Sequence, residues 1–587
     1  MEAALRLPEV LDQIVQNFRV RPPDLPIISN ERDDGRHPVH FSRDDLVSDE
    51  EKMHTLYRLA LTNRALSQAA LPILWSFIQS IEPLLKLVPG TVYCPAHGAW
   101  FLTRRPLCKE DLRWFEGAAR RVKHLTVTKT QQKTLPFPSG IQPSVFSEIS
   151  GRLGNRPILP SLRSLLVDES CEYASFLLSG TLKKLVVVCT GDEMEPEVEG
   201  GENLIALLPV RVPLLEELFV ACRLSESNLQ DILKLKHLRK LSFDFDECFW
   251  PVDEPGRFQF FKDLERLPKL RELDVGSMLL DYRNRISPLL EPGLVTYHFQ
   301  ALERLIIDGF SDYLMKILLR LRGTSLKSIV FWDEDTAWDD GEDGVPVLPE
   351  EAEEKFSAGK ALSILGEHHF KSLTTLEIAA FSNTGTFRAL DLEPLLRIAG
   401  MQSLDFHCAR NTGIDDEFVL KMASSWPQLE LLRLFSDTRF GCPTLASVQA
   451  FARHCPNLRR LSLDFDPKLG DCDTILPLQH LSLFSVFDDP GLLIRDDEVV
   501  AIARFLSGCF PALIFPFVER PTTYPPKPSR PGAWTAVFNR LLQDRDAGEV
   551  KKLTGIFTPD NIQIGPGIDI GSGLVLSMFG YLSDGYL

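Results

Sequence analysis

Two triplets in the chain could hold a divalent cation. Asp244–Asp246 sits in LSFDFDE, and Asp464–Asp466 sits in LSLDFDP. Carboxylates one residue apart at a turn can supply hard oxygen ligands, as at a sugar-nucleotide site. Both triplets follow the same kind of short apolar segment, where acids end strands and begin turns. A pattern recurring at equivalent places is what a repeat fold generates, and a single active site is not. Cys94-Pro-Ala-His97, with Cys108 beyond it, offers three ligands but no second pair, which a closed zinc site needs. The glycine-rich IGPGIDIGSG, residues 564–573, lacks both G-x-G-x-x-G and G-K-[ST]. His368 and His369 stand together without a cysteine or acid at metal-ligand spacing, and neither G-x-S-x-G nor H-E-x-x-H occurs. The expectation is a chain with no catalytic residue, no metal and no cofactor.

The elements that would carry any site follow from self-similarity. The pattern L-x-x-L-x-L, with Val, Ile, Phe or Met allowed, recurs thirteen times, starting at residues 122, 162, 182, 215, 238, 270, 302, 326, 373, 401, 429, 458 and 478. The mean step is about 30 residues. Proline often stands just ahead, as in LPSLRSL, LPKLREL and CPNLRRL, and fixes the approach to the strand. The L-x-L half reads as a short strand with alternate side chains turned inward, and the earlier leucine closes the preceding turn on the same core. Helical stripes separate the copies, among them TLASVQAFARHCP (444–456) and DDEVVAIARFL (496–506). No unit of this kind buries its own apolar face, whereas stacked units share one core. The leucine-rich-repeat signature is therefore expected over residues 121–515. The ninth position of the motif is never Asn here, so the solenoid should be irregular. In such a horseshoe the residue between the two strand leucines, and the one after the second, face the concave sheet. Phe219, Trp332, His407, Arg433, Phe435 and Phe484 are the candidate substrate-binding residues of that face, since aromatic and Arg side chains anchor protein interfaces.

Charge narrows the partners. The net charge of −17 is local: residues 333–354 hold 11 acids and residues 191–202 hold 6, with no Lys or Arg in either run. Without those 17 the chain has 64 acids against 64 bases. No basic excess of the nucleic-acid-binding kind remains, and the two runs read as solvated acidic loops. Eleven scattered cysteines suit a reducing compartment. No signal-like segment opens the chain, and no stretch reaches the roughly 18 apolar residues of a membrane span. A soluble cytoplasmic or nuclear protein is expected, with neither nucleic acid nor membrane as partner.

The N-terminal part reads differently. LRLPEVLDQIVQNF, residues 5–18, places Val10, Leu11, Ile14, Val15 and Phe18 on one helical stripe behind Pro8, which suits a first turn. A helix this short is marginal alone and needs a surface to lie against. Residues 19–50 are polar and loop-like. MHTLYRLALTNRALSQAALPILWSFI, residues 53–78, then carries a second helical block broken at Pro72. The order of a Leu-Pro helix, an A-L-T-N-R-A-L-S segment and a helix ending at Trp resembles an F-box, through Leu7, Pro8, Leu11, Ile14, Asn63, Arg64, Leu66 and Trp75. LTRRPLCKEDLRWFEGAARRVKHLTV, residues 102–127, is similar to the segment joining F-box and repeats in a large group of fungal F-box proteins. That resemblance implies a three-helix module over residues 1–85, linker helices over 86–120, and docking of a Skp1-like adaptor through Leu7, Pro8, Val10, Leu11, Ile14, Leu59, Leu66 and Trp75. Through the adaptor it implies a cullin and a ubiquitin ligase, with an unidentified protein substrate on the repeats. The same stripe also fits a plainer role, as a cap on the first repeat.

At the other end, a Pro-rich linker is expected over 516–532. Within 533–587, AWTAVFNRLLQDRD sets Trp534, Val537, Phe538, Leu541 and Leu542 on one face, as a helix capping the last repeat would.

Overall fold

The computed structural model describes residues 43–94, 99–103, 107–127, 140–154, 156–168, 171, 173–188, 200–222, 224–243, 261–275, 296–308, 318, 320–321, 325–333, 358–367, 372–380, 386–408, 410–436, 439–440, 442–469, 476–487, 494–511, 513, 515–519 and 533–544. The chain forms two compact units, Met1–Leu270 with Gly567–Leu587, and Arg271–Pro566.

The first unit begins with helices Arg43–Thr62 and Arg64–Leu74. Asn63 separates them: its backbone is extended and its Oδ1 accepts the Leu66 N–H at 2.9 Å, which satisfies a donor left free by the new helix. The two helices meet through Leu56, Ala70 and Ile73, with Met53, Leu59 and Leu74 against them. Strand Phe77–Ile78 follows and pairs in parallel with His124–Val127. Ser164–Asp168, Lys184–Val188, Glu217–Ala221 and Lys240–Phe243 continue the ladder, each parallel to the one before. Helix Pro143–Leu153 shows how the connections are punctuated. Proline opens it, and Gly154 closes it at φ 65°, a left-handed cap that a Cβ would strain.

The second unit repeats the plan. Strands Glu272–Val275, Arg304–Asp308, Ser328–Asp333, Thr375–Ala380, Ser403–Cys408, Leu431–Ser436, Arg460–Leu463, Leu483–Phe487 and Phe515–Glu519 pair in that order, all parallel. Helices Asp416–Ser425, Val448–His454 and Asp496–Cys509 lie in the connections. The mixed α/β architecture, with a long parallel strand ladder in each unit, is consistent with leucine-rich repeats.

The motif residues build the core as expected in twelve copies. Val122, Leu162, Leu182, Leu215 and Leu238 are fully buried in the first unit, as are Leu302, Leu326, Leu373, Met401, Leu429 and Leu458 in the second. Each contributes about 1.5–3 kcal/mol by leaving water. The backbone between the first two leucines extends the ladder. Lys183 and Lys184 both donate to the Arg163 carbonyl, at 2.8 and 2.9 Å, and Glu216 and Glu217 do the same to Lys183.

The structure corrects the thirteenth copy. Leu461 pairs with Phe484 and Ser462 with Ser485, while Ser482 and Leu483 donate to the Arg459 carbonyl. The copy therefore starts at Leu481, three residues later than the L-x-x-L-x-L spacing indicates. An odd shift exchanges the faces of a strand. Phe484 consequently lies in the core, 0% exposed, with ring centroids 5.8 Å from Phe465 and 4.8 Å from Phe510.

Two strands of the parallel ladder fall outside the thirteen motifs. Phe77–Ile78 precedes them, with Ile78 opposite Leu125 of the first copy. Phe515–Glu519 follows them and begins the stretch expected to be Pro-rich linker. Pro516 stands opposite Phe484, on the last strand of the order, where its missing N–H leaves no described partner strand short of a bond. Within 86–120, expected to be helical, Thr91–Cys94 and Ala99–Leu102 form an antiparallel pair ahead of helix Arg113–Ala119. Residues 200–202, the end of one acidic run, open helix Gly200–Arg211.

Candidate interaction face

The pleat determines which residues share the face away from the leucines. In the second unit the register aligns Val330, Glu377, Asp405, Arg433, Ser462 and Ser485 in one row. Each lies between two core positions of its strand, so its side chain leaves the core. Neighbouring strands are about 4.8 Å apart, close enough for side chains in a row to interact.

Arg433 Nη1 donates to Asp405 Oδ2 at 2.8 Å. The side chains are 31% and 19% exposed, so the pair is half-buried. Burial pushes the Asp405 carboxyl up to about 6; Arg433 pulls it down, and Glu377 on the other side pushes it up again. Beyond Arg433, the buried hydroxyls of Ser462 and Ser485 hydrogen-bond to each other. The row thus presents a charged centre flanked by apolar Val330 and by a closed hydroxyl pair. Trp332, Ala379, His407 and Phe435 align in the adjoining row, two residues further along the same strands. By register Trp332, His407 and Phe435 share one row, and Arg433 stands in the row beside it.

Phe219 has a different setting. It holds the expected strand position, paired with Val186 and Ser242, but is 1% exposed and packs with Leu166, Val186 and Val188. It is a packed residue of that face and not an exposed anchor. Phe484, as described above, belongs to the core, so the exposed position expected for it falls to neither residue of its pair with Leu461.

Of the residues assigned to the adaptor, Leu7, Pro8, Val10, Leu11 and Ile14 lie outside the described residues. Leu59 is half-buried against the helix pair, and Leu66 is half-buried on the second helix. Trp75 ends that helix, its N–H donating to the Leu71 carbonyl at 3.0 Å. Tyr57 and Leu61, one helical turn apart, are 56% and 69% exposed on helix Arg43–Thr62. Their i, i+4 spacing is visible in the sequence, but it is masked there by the denser stripe on Met53, Leu56 and Leu59.

The metal-like motifs resolve into turns where they are described. Asp466 accepts from the Lys468 backbone and from its Nζ at 2.8 Å, and forms a β-bridge with Thr444. Asp464 is buried. Asp244–Asp246, His97, His368 and His369 lie outside the described residues. Cys108 is exposed, and its N–H donates to Asp111 Oδ2 at 2.8 Å. A hydrogen bond with the Asp111 carboxylate raises the Cys108 thiol, which disfavours the thiolate that metal binding and nucleophilic chemistry need. Among the described residues, no group of three His, Cys, Asp or Glu converges as metal ligands would, and no helix is long and apolar enough to cross a membrane.

No family model matches the chain, and no curated protein matches it. Solved structures do. A leucine-rich-repeat-containing protein, LegL7 from Legionella pneumophila, aligns at 12% identity over 57% of this chain and 92% of that chain, with a TM-score of 0.26. A Bacteroides fragilis protein aligns at 14% identity over 47% and 72%, with a TM-score of 0.25. The repeat architecture rests on the strand order and register described above rather than on these likenesses.

Proposed function

We propose that this chain is a non-catalytic recognition subunit, in which an N-terminal F-box-like module docks a Skp1-like adaptor and the repeat face holds a protein substrate. The observation that carries the recognition part is the row of Glu377, Asp405 and Arg433 on the sheet face away from the leucines, where charged side chains on adjacent strands suit the capture of a protein surface. The adaptor part draws support from the helix pair Arg43–Leu74 and from its exposed Tyr57 and Leu61, an apolar pair turned to solvent. Leu7, Pro8, Val10, Leu11, Ile14, Leu66 and Trp75 would complete the docking surface, and the adaptor would bring a cullin.

The test is reconstitution. The purified chain mixed with Skp1 should elute as one complex in size-exclusion chromatography. Separate elution would leave a repeat scaffold without an adaptor. One observation favours that second reading: strand Phe77–Ile78, directly after the helix pair, joins the repeat ladder in parallel with His124–Val127, as a cap would.

A further inference from the structure

The turns into the strands of the first unit carry a charge pattern that the whole-chain balance conceals. The residue after each opening apolar position of the motif, just ahead of the strand, is Lys123, Arg163, Lys183, Glu216 and Arg239 in successive copies. The next residue, the first of the strand, is His124, Ser164, Lys184, Glu217 and Lys240. These positions hold six Lys or Arg against two Glu. Backbone bonds fix the alignment. Arg163 and Ser164 donate to the Lys123 carbonyl at 2.7 and 3.0 Å, and Arg239 and Lys240 donate to the Glu216 carbonyl at the same distances. Parallel pairing therefore sets all of these residues along one edge of the sheet, at the N-terminal ends of its strands.

The side chains of the leading row follow the backbone. Glu216 stands between Lys183, 2.8 Å away, and Arg239, 3.9 Å away, so the one acid of that row is matched twice. A hydrogen bond from Lys183 holds its carboxyl below the usual range. Among the described residues, Lys123 and Arg163 have no ion-pair partner, and Arg163 and Arg239 are exposed. The second unit offers a comparison within the same chain. At its equivalent positions each Glu meets a base: Glu272 with Arg304, Glu303 with Lys327 and Glu430 with Arg459. The repeat needs these positions to be polar, not basic, so the excess in the first unit is no requirement of the architecture.

We propose that this edge docks an acidic segment of a protein partner, whose carboxylates meet Lys123, Arg163, Lys183 and Arg239. Four strand steps of about 4.8 Å make the row about 19 Å long, which an extended segment of about six residues spans. Neighbouring charges lie within a Debye length of about 8–10 Å of one another, so their fields add. Two features suit a protein rather than a phosphate chain. Leu214 is 43% exposed, and its carbonyl lies 3.4 Å from Lys183 Nζ, so an apolar residue borders the row. Glu216 and Glu217 interrupt the bases, where a continuous polyphosphate would be repelled. That the partner is a protein rests on the recognition reading above; the segregation of charge does not.

Fluorescence anisotropy of a labelled peptide of about eight glutamates, long enough to span the row, tests this on the full chain without adaptor or substrate. Saturable binding that weakens with added salt is expected. Lys123→Glu with Arg163→Glu should weaken it at least about tenfold, because like charges then face each other. Lys123→Gln with Arg163→Gln should give a smaller loss in the same direction, and Arg304→Gln with Lys327→Gln, in the second unit, should change nothing. Thermal melts confirm that each variant is folded. No binding of the peptide, equal losses in the variants of the two units, or tighter binding of oligothymidylate or of phosphatidylserine vesicles would overturn the proposal. Peptide binding by a chain that elutes apart from Skp1 would uphold the acidic partner and remove only the adaptor; a Skp1 complex that ignores the peptide would do the reverse.

Discussion

Arg433 reaches across from its strand to Asp405 on the neighbouring strand, 2.8 Å from Nη1 to Oδ2, with Glu377 on the far side of the aspartate. One cation thus serves a row with two acids. Burial dominates the aspartate, and Arg433 only partly offsets it.

That balance gives a pH signature. The Asp405 carboxyl titrates near 3.8 when unfolded and at about 6 when folded. The folded state therefore binds the proton more tightly. Its stabilising effect is full below pH 3.8 and is lost as pH rises through 6. The loss is on the order of 1–3 kcal/mol. Asp405→Asn removes the titration, so the variant should gain stability relative to wild type between pH 4 and 7. Urea unfolding midpoints across that range give the check; a difference that shrinks with pH would contradict the assignment.

Phe484→Ala tests the register of the last motif copy. As a core residue against Phe465, Phe510 and Phe538, its truncation should cost about 3–5 kcal/mol. Ser482→Ala should stay within about 0.5 kcal/mol, since its hydroxyl makes one exposed bond to the Arg459 carbonyl. A strand starting its motif at Leu478 would invert the two results in thermal melts.

Much of this was legible because leucine spacing encodes both strand and face. Leu162, Leu165 and Val167 take the core positions that the motif spacing assigns them, each 0% exposed. The reading slipped where another apolar residue offered a competing frame. Leu478, Leu481 and Leu483 match the motif as letters, yet Leu481, Phe484 and Val486 take the core positions, where Phe484 packs against Phe465, Phe510 and Phe538. Pro516 hid the last strand, since proline reads as a linker unless the strand is known to be an edge. Burial of Phe219 was not legible at all. Its own strand gives its face, but not its packing against Leu166, Val186 and Val188 of the neighbouring strands.

Asn63→Ala should lower stability of the N-terminal helix pair by about 0.5–2 kcal/mol, through loss of the bond from the Leu66 N–H. Asn63→Ser should recover most of it, because a hydroxyl can cap the same helix. Differential scanning calorimetry distinguishes these outcomes; an alanine variant that melts like wild type would mean that the cap contributes nothing.

The most direct measurement is a calorimetric titration of the full chain with purified Skp1, run beside a variant carrying Pro8→Ala and Ile14→Ala. A recognition subunit predicts saturable binding by wild type, binding weakened at least about tenfold in the variant, and unchanged melting of the variant. Absence of binding by wild type, or a variant that binds normally but melts early, would contradict an adaptor role and leave the N-terminal helices as the cap of the repeat array.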